Sequence, residues 1–147
     1  MGTWGRRIVV AGLAAALALT LAGCGSSVRL GIDRCLPAPL EVTPPGPDAG
    51  TTVTISSPPA DCDLGYSDGH TYSVTLMAPG TPGAPGTRTP PVEVEVAADG
   101  SFSVPLAIPD DFPRGDGSVV VTGSPHDECG KDGTGSCAGY TVSVAVR

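Results

Sequence analysis

Gly65-Tyr66-Ser67-Asp68-Gly69 has the G-x-S-x-G spacing of a nucleophile elbow, and Asp116 and His126 follow in an order that a Ser-His-Asp triad allows. Such an elbow works only where a strand, a sharp turn and a helix hold the serine out over an oxyanion hole. A second set could hold a cation. Asp61, Asp63, Ser67, Asp68 and Glu128 offer oxygens to a hard ion such as calcium, and His70 and His126 offer nitrogens to a softer one. The oxygen spacing matches no full EF-type loop, and two histidines are few for a transition-metal centre. The plainer account of the set is a solvated acidic loop with two surface histidines. Arg114-Gly115-Asp116 is an RGD tripeptide, expected in a loop where an adhesion receptor could reach it. A proline-glycine turn calls for the same small residues on backbone grounds alone.

The five cysteines carry more information than any of these. Cys24 follows Leu21-Ala22-Gly23, and before that come Arg6, Arg7 and an uncharged run from Ile8 to Leu21. A basic start, a short apolar stretch and small residues form an export signal, and the run is short of the about 20 residues that a spanning helix needs. An arginine pair also occurs in twin-arginine signals, although most such basic starts lack that role. Leu21-Ala22-Gly23-Cys24 resembles the lipobox of bacterial lipoproteins. The resemblance implies diacylglycerol transfer to the Cys24 sulfur, cleavage before Cys24, and a protein held by acyl chains on the extracytoplasmic face of the cell membrane. Residues 1–23 are then the signal peptide, 24–34 the lipidated cysteine and a short tether, and 35–147 the working domain. Two or more acyl chains anchor stably, at about 0.8 kcal/mol per buried CH2.

The formal charge of the whole chain is −7, and losing Arg6 and Arg7 with the signal takes it to −9. That acidity argues against nucleic acid and against electrostatic adhesion to anionic lipid, since both use basic patches. No cofactor is expected beyond the covalent lipid on Cys24. The partners expected are the membrane, through the lipid anchor, and an envelope protein.

Any of these residues must be positioned by strands. Apolar residues alternate with polar ones at Leu40 and Val42, Val53 and Ile55, Tyr72 to Leu76, Val92 to Val96, Phe102 to Ile108, Val119 and Val121, and Tyr140 to Val146. Pro44-Pro45-Gly46-Pro47, the segment 79–91, Asp99-Gly100 and the segment 109–117 break the alternation with turn residues. Asp99-Gly100 reads as a hairpin turn, and 79–91 is too rich in proline and glycine for a helix or a central strand. The pattern predicts an all-β immunoglobulin-like sandwich of about seven strands. Residues 40–146 resemble the bacterial Ig-like domains of secreted and cell-wall proteins, on Leu40 to Ile55, on Asp99-Gly100-Ser101-Phe102-Ser103-Val104, and on Pro109 and Gly117-Ser118-Val119. The chain departs from the antibody type in lacking a tryptophan on its third strand and in carrying its cysteines in loops. Such domains serve as spacers, stalks and binders, so the resemblance implies a fold and leaves the role open.

Four cysteines remain in an exported chain, with three possible pairings. In a sandwich of this strand order Cys35, Cys62, Cys129 and Cys137 gather at one pole, which favours Cys35–Cys62 and Cys129–Cys137. The C-x-x-C spacing of zinc sites is missing. The expected function is a non-enzymatic, membrane-anchored interaction or structural module. The alternatives are a calcium or small-ligand binder at the acidic pole and, less favoured, a hydrolase using Ser67.

Overall fold

The computed structural model describes residues 35–128 and 139–147. Cys24, Cys129, Cys137 and the expected signal segment lie outside the described residues. The described chain forms β1 (Glu41–Thr43), β2 (Thr52–Ser57), β3 (Thr71–Ala78), β4 (Thr87–Arg88), β5 (Val92–Glu95), β6 (Phe102–Ala107), β7 (Gly115–Thr122), a 3-10 turn (Pro125–Glu128) and β8 (Tyr140–Val146). Each of the seven expected alternations is a strand. The one addition is β4, a two-residue edge strand inside the proline-glycine segment.

The strands form two antiparallel sheets. One has the order β1-β2-β6; the other runs β4-β3-β7-β8, with β5 also paired to β3. This is the strand order of an Ig-like sandwich. Period-two burial explains the packing, because residues two apart share a face. In β3 the alternation puts Tyr72, Val74, Leu76 and Ala78 inside, and in β6 it puts Phe102, Val104 and Leu106 inside. These meet Val53 and Ile55 of β2, Val119 and Val121 of β7, and Tyr140, Val144 and Val146 of β8 in one continuous core. A polar group inside is satisfied: the Leu76 N–H donates to Thr89 Oγ1 at 3.0 Å, and the Thr89 N–H returns to the Leu76 carbonyl at 2.9 Å. Among the described residues no helix is long and apolar enough to cross a membrane.

Two local expectations need correction. Asp99-Gly100 does make a tight turn, with Gly100 at φ +80° and the Gly100 N–H donating to the Ala97 carbonyl at 2.8 Å. The strands it joins are not partners, however: β5 pairs with β3 and β6 with β2, so the turn carries the chain from one sheet to the other. The RGD tripeptide is also not a loop tip. Gly115 and Asp116 open β7, in register with Val146 and Ala145. Their side chains carry no apolar alternation, so the start of this strand gave no periodic signal.

Candidate functional site

The first described residues cross one end of the sandwich as a strap. Cys35 is bonded to Cys62, with Cα atoms 5.7 Å apart. This is the expected pairing at the expected pole. Further along the strap, the Tyr140 hydroxyl donates to the Ala38 carbonyl at 2.6 Å and lies 2.8 Å from Ser57 Oγ, whose own proton reaches the same carbonyl at 3.0 Å. Three distant parts of the chain are thereby tied together at one end.

Behind the strap lies an aromatic cluster that the sequence reading did not assemble. Tyr72, fully buried at the start of β3, meets four rings edge-on: Tyr66 at 5.9 Å, His70 at 5.6 Å, Phe102 at 5.4 Å and Tyr140 at 6.0 Å between centroids. Such edge-to-face contacts set the ring-edge hydrogens of one ring against the π-face of the next. Tyr66 stacks on His70 at 3.9 Å, and His126 lies parallel to Tyr140 at 5.4 Å. The hydroxyls of Tyr66 and Tyr72 share a hydrogen bond. His70 Nε2 bonds the Gly123 carbonyl at 2.8 Å, which ties the start of β3 to the chain just after β7. Burial raises the Tyr72 phenol far above its ordinary value, with the Tyr66 hydroxyl and nearby negative groups adding to the effect. Burial also raises Tyr66, partly offset by its bond to Tyr72, and raises Tyr140, partly offset by Ser57. All three therefore stay neutral and serve as hydrogen-bonding groups.

A cleft of about 530 Å³ opens beside this cluster, lined by Cys35, Asp63, Tyr66, Ser67, His70, Ser124 and Glu128 among others. Ser124 is buried, and its hydroxyl has no hydrogen-bond partner among the described residues. The candidates from sequence divide here. Ser67, His70, Asp63 and Glu128 reach the cleft; Asp61 and Asp68 do not line it. Asp63 Oδ1 is already engaged, accepting the Gly65 N–H at 2.8 Å in a local turn. Among the described residues no three His, Cys, Asp or Glu side chains come close enough to hold a metal ion.

The triad that the order of Ser67, Asp116 and His126 would allow is not assembled. His126 sits on the 3-10 turn at the cleft end of β7, whereas Asp116 is the second residue of β7, at its other end. The strand length between them is roughly 20 Å at about 3.3 Å per residue. Residues 65–69 lead into β3 and not into a helix, so the geometry of an elbow is missing as well. Asp116 instead borders a shallow groove of about 730 Å³ on the outer face of the five-stranded sheet.

Comparison with protein-family models, with curated proteins and with solved structures gave no match.

Proposed function

We propose that this chain is a lipoprotein anchored through Cys24 on the extracytoplasmic face of the membrane, and that its Ig-like domain is a non-enzymatic interaction module of the cell envelope. The observation that carries the reading is the Cys35–Cys62 disulfide, placed a short tether after the lipobox cysteine. Disulfides persist in oxidising compartments, which agrees with an export signal and disagrees with a cytoplasmic life. The acidic chain has no basic stretch for nucleic acid, and covalent lipid supplies the membrane contact that its charge does not. The partner expected is an envelope protein.

A second reading, a binder of a small polar ligand at the strapped pole, is favoured by the cleft and by the unpartnered Ser124 hydroxyl. The calcium form of that reading lacks a cluster of carboxylates among the described residues. Membrane fractionation with acyl-chain labelling separates the first reading from its rivals. Wild-type chain is expected to carry label and to pellet with membranes, and Cys24→Ala to lose both. Equal labelling of the two forms, or a wild type found in the cytosol, overturns it.

A further inference from the structure

The sandwich has five strands at sheet edges, and four of them are blunted. β1 has three residues and an exposed Glu41. β4 has two residues. β5 turns Glu93 and Glu95 to solvent. β6 contains Pro105. Short length, charge and proline are the devices that keep an edge from pairing with another chain. β8 has none of them: its seven residues, Tyr-Thr-Val-Ser-Val-Ala-Val, are uncharged, proline-free and rich in strand formers.

The direction of its free groups can be read from Arg147. The Arg147 N–H donates to the Pro47 carbonyl at 2.8 Å, and the Arg147 carbonyl accepts the Ala49 N–H at 3.1 Å. Both peptide groups of Arg147 therefore face away from β7. Alternation along a strand turns those of Ala145, Ser143 and Thr141 the same way. The chain's own segment 47–49 thus begins a parallel ladder on this edge and then leaves it. Gly46 still approaches the Ala145 carbonyl, but Pro44 and Pro45 have no N–H to give, and the chain crosses to β1 in the other sheet. With Gly46 lying beside Ala145, the outward groups left open are those of Thr141 and Ser143: among the described residues, no backbone bond reaches them.

We infer that this edge is a strand-addition site, completed by an extended segment of a partner polypeptide. A row of outward N–H and C=O groups is complementary to another extended backbone. The side chains beside the edge define the segment further. Ser143 and Ala145 border the outer groove, whose other walls are Met77, Ser118 and Val120, with Asp116 at its rim. The occupant is then free of proline and of charge along its paired stretch, with small apolar side chains over the groove. It carries a Lys or Arg at one end of that stretch, in keeping with the acidity of the chain. A second copy fits less well. Two β8 edges related by a two-fold axis pair antiparallel and send their Cys35–Cys62 poles in opposite directions, which chains tethered in one membrane cannot satisfy; this clause alone rests on the proposed anchoring.

The test is amide hydrogen exchange on the full chain in detergent micelles, with a synthetic Lys-Val-Thr-Val-Ser-Val peptide as the probe. A twin peptide methylated on alternate backbone nitrogens is the control. The unmethylated peptide is expected to slow exchange at Thr141 and Ser143 by at least about tenfold, and the methylated twin to leave them unchanged. Ser143→Pro removes one outward donor from an edge strand and is expected to weaken peptide binding by about tenfold. The inference is overturned if the peptide protects neither of the two amides, or if the methylated twin protects them equally. Protection in the dilute chain alone overturns it by showing that the protein covers its own edge. Protection that grows with protein concentration alone overturns it in favour of a second copy. Failure of any of these arms leaves the acylation test intact, since that test reads Cys24.

Discussion

The tyrosines are where single residues matter most. Tyr66, Tyr72 and Tyr140 all have phenols raised above the ordinary value of 10.0, chiefly by burial. A group whose folded pKa is raised keeps its full stabilising effect below the unfolded value and loses it as pH climbs toward the folded one, because the unfolded chain then sheds protons that the folded chain retains. Stability is therefore expected to be flat through neutral pH and to fall steeply above about pH 10. Melting temperatures across that range check this, with Tyr72→Phe giving a shallower alkaline slope than wild type; a wild-type curve that stays flat up to pH 12 contradicts it. Tyr66, Tyr72, Phe102, Phe112 and Tyr140 were visible in the sequence as scattered aromatic residues. Their convergence was not, because Tyr72, Phe102 and Tyr140 come from three strands far apart in the chain and only the sheet topology brings them together. Ser67, Asp116 and His126 show the reverse. Their order suggested a site, and topology places Asp116 at the far end of β7.

At the scale of elements, alternation was a strong signal and pairing was a weak one. Val92 to Val96 and Phe102 to Ile108 read correctly as strands flanking a turn, but nothing in their residues says that β5 and β6 belong to different sheets. The start of β7 was illegible for a plainer reason: Gly115-Asp116-Gly117 has no apolar side chain to reveal a face. The strap of residues 35–40 was legible only through its cysteine and through Leu40 at its end. Closing the loop from Cys35 to Cys62 restricts the unfolded chain by about 3.6 kcal/mol. The strap is also held by Leu40 in the core, by buried Pro37 and by the Ala38 carbonyl under Tyr140. Cys35→Ser is thus expected to lower unfolding free energy by about 2–5 kcal/mol in denaturant titration. A loss below about 0.5 kcal/mol would show that the disulfide does not restrain the strap.

For the whole molecule, a domain this poor in aromatic residues holds a valine-rich core of modest size, and small domains commonly add covalent restraint to such cores. The fold class and the Cys35–Cys62 pair could be inferred from sequence because both follow from local pattern plus strand order. The candidate interaction edge could not, since it depends on where 47–49 meets Arg147 and on which strands end up outermost. The molecule that emerges is strapped and tied at the Cys35–Cys62 pole, and open along part of β8 for an incoming strand. Its central premise is export with acylation, and intact-mass and peptide mass spectrometry of the chain purified from native membranes tests this most directly. The expected product begins at Cys24 with a diacylglycerol adduct and yields Cys35 and Cys62 as a cross-linked peptide. A product that retains Met1, or one in which Cys35 and Cys62 are both alkylated without prior reduction, contradicts the account.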